Sequence, residues 1–347
     1  LNNPSSFLIV LMTPKTFHIC MLIDAWFPFV GGGQIHVVNL VSELEKLGVK
    51  VTLFHAPHHN IIIRTLWCLW VIPQILLAHR SKPFALIHAH AFAPGIPGKI
   101  VSLITGRPVV FTVHGSHLMD AHSRGPKAWL EQFLLTKIHY SQQISVTQHF
   151  KDYPNVNHVT VIPNGVDVAA FNKIKTSKYS RFTFLYVGRD HPTKGLNILR
   201  QAFSKAQKQY PDINLKIITG IPHHQVIKEF KQASAFVLPS LVEGQPISLF
   251  EAWAAKLPVI ATKTTGVSEI VHDGQDAILV NPGSIDAMSQ AMITLLKLPK
   301  NKRNQLGQNG YNKVLNDYVW RKIAAQTLGV YRQIISTTKT TNPSKDR

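Results

Sequence analysis

The feature that most restricts this chain is its rhythm: short apolar runs bounded by Gly, Pro or Asn alternate with longer segments of helical periodicity almost from end to end. Successive strands joined through helices lie parallel, and a parallel sheet needs helices over both faces to bury it. The expected fold class is therefore α/β with parallel sheets. Runs at 18–23, 49–54, 85–88, 108–113 and 160–162 read as strands of a first unit. A Gly-rich turn follows the first of these, and a helix over 34–47 is stopped by Gly48. The stretch 163–180 is polar and rich in turn formers, with Asn164-Gly165 the strongest signal, and reads as a linker. A second series follows, with strands at 182–187, 214–218, 235–238, 259–261 and 277–280 and a helix over 196–209. At 347 residues, 45% of them hydrophobic, two cores of ordinary size can form. The expected division is a first domain over 1–163, a linker over 164–180, a second domain over 181–320, and a last helix with a frayed or disordered Thr/Lys-rich tail over 321–347.

Charge narrows the partners. Lys and Arg number 37 against 18 Asp and Glu, a formal charge of +19, which favours phosphates, acidic lipid surfaces or nucleic acid. The cations are scattered, and neither zinc-finger spacing nor a stacked-aromatic motif is present, so nucleic acid is not expected. Cys20 and Cys68 form neither a disulfide framework nor a zinc site, which fits a reducing cytosol. The apolar run 7–12 is short and lacks a basic flank, so no secretory signal is expected. The greasiest stretch, 61–77, is interrupted by Arg64, Pro73 and Gln74 and should not span a membrane. It reads as a buried helix of the first domain. Trp67 and Trp70, three residues apart on one helical face, leave a membrane-surface helix as the alternative.

The segment 239–262, PSLVEGQPISLFEAWAAKLPVIAT, carries the most chemistry. It reads as strand end, tight loop, helix and strand, with Pro246 at the first helical position. The free N–H groups of Ile247 and Ser248 would then offer an anion site, with Glu251 on the same helical face for a ribose. Glu243 and Gly244 sit in the loop, where a carboxylate and nearby amides could hold sugar hydroxyls. Two solvated glutamates around a capping loop are the plain alternative. The loop GRDHPTKG, 188–195, ends a strand and opens a helix, a place where α/β sheets bind ligands. Its Arg189 and Lys194 could stabilise a departing diphosphate, since unit charges 4 Å apart interact by about 4 kcal/mol at an effective dielectric of 20. No D-x-D pair is present to chelate a metal. Gly31-Gly32-Gly33 offers a further backbone anion site after the first strand, without a dinucleotide fingerprint. His114 ends another strand and could reach the same cleft. His88 with His90, and the pairs His58-His59 and His223-His224, lack acidic or thiol partners at ligand spacing and read as loop or cleft residues, with no metal expected.

Five blocks resemble the retaining GT-B glycosyltransferases of family 4: FPFVGGGQIHVVNLVSELEKLGVKVTLF, HAHAFAPGIPGKIVSLITGRPVVFTVHG, VIPNGVDVAAF, LYVGRDHPTKG and VLPSLVEGQPISLFEAWAAKLPVIATKTTGVSEIV. They run in family order over most of the chain. The resemblance implies two facing Rossmann-like domains with an interdomain cleft and a final helix crossing back to the first. It implies that Arg189 and Lys194 hold a donor diphosphate, that Glu251 holds the ribose, and that Glu243, Gly244 and Gln245 grip the donor sugar. Gly32 and Gly33 would lie near phosphate or acceptor, and His114 would touch the sugar from the opposite domain. The implied reaction transfers a hexosyl-type sugar from a nucleotide sugar to a glycan or lipid-linked acceptor, with retention and without a metal or other cofactor. Cell-envelope polysaccharide or glycolipid synthesis on the cytoplasmic side of a membrane is the expected setting, with an anionic membrane surface as a possible partner. A non-catalytic sugar- or nucleotide-binding relative and a GT-B sugar-nucleotide epimerase or phosphorylase are the rival readings. Two departures stand out: ITGIPHHQV runs through where the family has a further strand and helix that contact the base, and Lys256 stands where the family has a small residue.

Overall fold

A computed structural model describes residues 16–27, 31–58, 60–115, 125–156 and 158–341. The run 7–12, His59 and the residues after 341 lie outside this set. The chain forms two parallel sheets. The first contains β1 (His18–Ile23), β2 (Lys50–His55), β3 (Leu86–His90), β4 (Val109–Val113), β5 (Gln142–Ser145) and β6 (Val159–Val161), in the order β2-β1-β3-β4-β5-β6. The second contains β7 (Phe182–Val187), β8 (Ile213–Ile218), β9 (Ala235–Leu238), β10 (Val259–Thr262) and β11 (Ile278–Val280), in the order β11-β10-β9-β7-β8. Every strand pair is parallel.

The two-residue period of a strand explains why these runs are apolar throughout rather than alternating. In β1, Cys20 and Leu22 enter the core on one face with Trp67, Val71 and Val101, while Ile19, Met21 and Ile23 enter the core on the other with Leu40 and Tyr331. In β9, Phe236 and Leu238 pack toward Trp253, and Ala235 and Val237 toward Met292. Each fully buried aliphatic or aromatic side chain stabilises the fold by about 1.5–3 kcal/mol. Helices supply matching stripes: in Leu196–Gln209 the buried residues Leu196, Leu199, Ala202, Phe203 and Ala206 follow the 3–4 spacing of one helical face.

The chain's second and third strands lie on opposite sides of its first in each sheet, between β1 and β3 and between β7 and β9. Such reversals leave a crevice at the carboxyl ends of the strands. The Gly31 cap and the start of the Gly32–Lys46 helix follow β1, the loop 188–195 follows β7, and the loop 239–246 follows β9.

Several boundaries differ from the sequence reading. Gly32 and Gly33 are the first residues of the Gly32–Lys46 helix, not a turn before it. β5 is an additional strand, polar at its start, and β3 runs two residues further, so that His88 and His90 are strand residues buried in the sheet rather than loop residues. The linker contains a helix, Val168–Lys173, capped by the Asp167 side chain. The tail is helical through residue 341, in Trp320–Thr341, whose Trp320, Ile323, Leu328 and Tyr331 pack into the core of the first sheet. Pro246 is the cap of Ile247–Ala254 rather than its first residue. Lys256 adopts a left-handed φ of 59° and lays its ammonium over the Tyr311 ring at 4.3 Å, which gives that departure a structural role.

The 61–77 stretch is a helix, Ile61–Ser81, but only one stripe of it is buried. Trp67, Cys68, Val71 and Ile75 face the sheet, whereas Ile62, Leu66, Leu69, Trp70 and Leu77 face outward. Trp67 is 3% exposed and Trp70 is 58% exposed, so the two indoles do not share a surface. The helix is long and apolar enough to cross a membrane, with mean hydropathy 1.9, yet its inner stripe is part of the domain core.

Candidate active site

The reversals of the two sheets open onto a single cleft of about 640 Å³, and every residue singled out above for donor or sugar contact lines it. From the first domain come Gly32, Gly33 and His114; from the second come Arg189, Lys194, Glu243 to Ser248, and Glu251. A Cβ placed on Gly32 would stand 3.8 Å from Ile247 Cδ1, and one on Gly33 would stand 4.0 Å from the His114 ring. The glycine end of one helix thus faces the start of the other across the gap, and any bulkier side chain there would fill it.

The loops after β7 and β9 are joined by backbone. Leu241 N–H donates to the Thr193 carbonyl at 2.8 Å. Gly195 has φ +66°, and a Cβ there would lie 2.1 Å from the Pro239 carbonyl oxygen, so only glycine fits. This junction brings Lys194 Nζ to 2.6 Å from Glu243 Oε1, which also accepts from Ser240 Oγ at 2.7 Å. Glu243 is buried, which makes the charge-assisted pair stronger than a surface one. Arg189 stands exposed at the mouth, its carbonyl accepting from the Tyr186 hydroxyl at 2.9 Å. Ile247–Ala254 has no side-chain cap, so the amides at its start are directed at the cleft without a protein partner among the cap groups.

Four further groups take part to which the sequence assigned no role in the cleft. His223 begins the helix His223–Gln232 five residues after β8 ends at Ile218, and its Nε2 stands 2.5 Å from Glu251 Oε1. Burial draws its pKa down, but the hydrogen bond and the charge of Glu251 outweigh this and the net shift is upward. Gly266 supports the donor loop from below: its N–H donates to the Glu243 carbonyl at 3.3 Å, and a Cβ would fall 1.4 Å from the Gly244 oxygen. Asn164 joins the domains. Its Nδ2 donates to the Gln245 carbonyl at 2.8 Å, its backbone N–H donates to Gln245 Oε1, and its Oδ1 lies 2.8 Å from His36 Nδ1. Because that oxygen can only accept, His36 carries its proton on Nδ1. The Asn-Gly turn signal marked the place of Asn164 but not this bridge.

Behind His114 lies a cluster of imidazoles. His90 Nδ1 and His114 Nε2 share a hydrogen bond at 3.1 Å, and His88 is held by Tyr331 at 2.5 Å and Thr112 at 2.7 Å. Burial lowers the pKa of His36 to about 4 and of His88 to about 3, and lowers those of His90 and His114 as well, so the cluster is neutral at pH 7. Nitrogens of His36, His90 and His114 lie within 4.8 Å of one another. They could close on a metal ion only by giving up the His90–His114 bond, and they bring no carboxylate or thiolate to offset its charge. A neutral His114 is suited instead to a hydrogen bond with an uncharged hydroxyl.

Known families match both halves of the chain. Residues 30–170 match the family described as Glycosyltransferase Family 4, and residues 214–313 match Glycosyl transferases group 1. The chain belongs to the GT-B glycosyltransferases of the family 4 type. It is similar to alpha-maltose-1-phosphate synthase of Mycolicibacterium smegmatis, 24% identical over 91% of this chain and 99% of that one. It is also similar to the UDP-Gal:alpha-D-GlcNAc-diphosphoundecaprenol alpha-1,3-galactosyltransferase of Escherichia coli, 27% identical over 68% of this chain and 73% of that one. Sucrose-phosphate synthase from Thermosynechococcus elongatus has the same fold, with a TM-score of 0.78, 18% identity, and coverage of 92% and 100%. Two facing parallel-sheet domains with a cleft between them are the GT-B architecture, and glycosyl transfer is the activity of the family.

Proposed function

We propose that this GT-B glycosyltransferase takes a hexosyl-type sugar from a nucleotide-sugar donor and transfers it, with retention, to a glycan or lipid-linked acceptor on the cytoplasmic side of a membrane, in cell-envelope polysaccharide or glycolipid synthesis. The observation that carries this reading is the convergence of Lys194, Glu243 and the uncapped start of Ile247–Ala254 opposite Gly32. The amides of Ile247 and Ser248, with Lys194 and Arg189, would hold the diphosphate, so the charge released as the sugar leaves meets fixed dipoles and cations. Lys194 is already paired with Glu243, so the lysine is held in the cleft before any donor enters. Glu243 would then exchange part of that pairing for sugar hydroxyls, with the Gly244 and Gln245 backbone completing the grip. Glu251 would take the ribose through the oxygen that His223 leaves free, or by displacing the imidazole. His114, neutral, would hydrogen-bond the sugar from the first domain. The acceptor would attack from the face the diphosphate leaves, with catalysis resting on positioning and charge stabilisation and with no metal required. The galactosyltransferase relative, whose name gives a UDP-sugar and a diphosphoundecaprenol-linked sugar, supports both substrate classes.

The test is release of nucleoside diphosphate by the purified chain, measured across nucleotide sugars with glycan and lipid-linked acceptors. Lys194→Ala and Glu243→Ala should each lower kcat by about 10²–10³ while circular dichroism stays unchanged. Full activity in both variants would contradict the assignment of this cleft. Nucleotide binding without any turnover would instead favour a non-catalytic relative.

A further inference from the structure

Three helices, Ile61–Ser81, Phe92–Thr105 and Pro126–Thr136, lie side by side on one face of the first sheet and share its core through Trp67, Val101 and Leu135. Their outer sides are unusual. On the first, Ile62, Leu66, Leu69, Trp70 and Leu77 fall at helical spacing on the solvent side, Leu69 with 67% of its surface exposed. The second continues the apolar surface with Leu103, 72% exposed, and Ile104. The third adds Trp129, 64% exposed and stacked on Phe133, together with Leu130. Isolated exposed apolar residues are ordinary, but a face built by three adjoining helices marks an interaction surface.

Charge selects the occupant. No Asp or Glu occurs between Glu45 and Asp120. The only carboxylate on the three helices is Glu131, which is buried and lines the cleft. Each helix ends in cations: exposed Arg80 in the last turn of the first with exposed Lys82 just after it, Arg107 after the second, and exposed Lys137 after the third. A second copy of the chain would bring these like charges together, whereas anionic headgroups would complement them. Indoles such as those of Trp70 and Trp129 prefer the boundary between headgroup and acyl chain. The inner stripe of Ile61–Ser81 is locked to the sheet, so this helix can lie in the interface but cannot cross it without dismantling the domain.

We infer that the outer face of these three helices docks the first domain flat onto an anionic lipid bilayer, with the aliphatic and indole side chains entering the acyl boundary and the helix-end cations meeting headgroups. The docking is a property of the surface and does not depend on the identity of the donor or acceptor.

Co-sedimentation with phosphatidylcholine vesicles, with and without phosphatidylglycerol, tests it. The wild-type chain should bind the anionic vesicles, more weakly as salt rises. Leu69→Glu/Trp70→Glu should weaken partitioning about ten-fold or more, and Arg80→Gln/Lys82→Gln should reduce the preference for phosphatidylglycerol. These side chains are exposed, so melting midpoint and circular dichroism should match the wild type. Wild-type chain that stays in the supernatant at low salt, or a Leu69→Glu/Trp70→Glu variant that partitions like the wild type, would overturn the inference. A wild-type dimer in gel filtration that the same variant dissociates, without vesicle binding, would also overturn it by assigning the face to a second copy.

Discussion

Lys194, Glu243, Glu251 and His223 form two acid–base pairs set into the wall of one cleft. The His223–Glu251 pair depends on an imidazole whose pKa is raised. A raised folded-state value means that the pair's stabilisation is complete below the unfolded value of about 6.5 and is lost as pH climbs through the folded value. The difference in melting midpoint between wild type and His223→Gln should therefore be present in mildly acidic buffer and disappear at alkaline pH, as read by thermal melts across that range. Gly266 carries a steric prediction. Gly266→Ala places a methyl against the Gly244 carbonyl, so it should cost more than about 1 kcal/mol in a urea melt and displace the donor loop, raising the donor KM. The acids and cations of this cleft were legible in the sequence because a loop between strand and helix has a short list of uses. His223 was read only as a loop or cleft residue, and its pairing with Glu251 was missed, because that contact depends on how few residues separate β8 from the next helix and on where that brings the imidazole in space.

At the scale of elements, most strands were legible because parallel strands buried on both faces leave uninterrupted apolar runs. The exceptions share a cause. β5 begins with Gln142 and Gln143, whose side-chain amides donate to the carbonyls of His158 and Leu135, and β3 holds His88 and His90 inside the sheet. Polar residues mask a strand when their partners come from distant parts of the chain. Tyr331 is such a partner, meeting His88 from the last helix. Tyr331→Phe keeps the ring packing but leaves His88 Nδ1 buried without its bond, so it should destabilise by about 1–3 kcal/mol, measured by chemical denaturation. The Ile61–Ser81 helix was harder to read. Its hydrophobicity is nearly uniform around the helix, so composition gave the element but periodicity could not assign the sheet-facing stripe; contacts from the sheet do that.

At the scale of the whole molecule, the two-domain order was legible from the repeated strand–helix series, whereas the closure between domains was not. One part of that closure is Asn164, which joins His36 of the first domain to Gln245 of the donor loop, and another is Glu269, which accepts from the Gln148 and His149 N–H groups. Asn164→Ala removes both side-chain bonds while leaving each core intact. It should raise the donor KM and broaden the small-angle scattering profile toward a more open pair of domains, with little change in the circular dichroism of either. The final helix has a different consequence. Because Trp320–Thr341 completes one side of the first sheet, the first domain cannot be finished during synthesis until the whole of the second has been made. Loss of that helix would therefore damage the earlier-made domain, which waits through the synthesis of its neighbour for a missing wall.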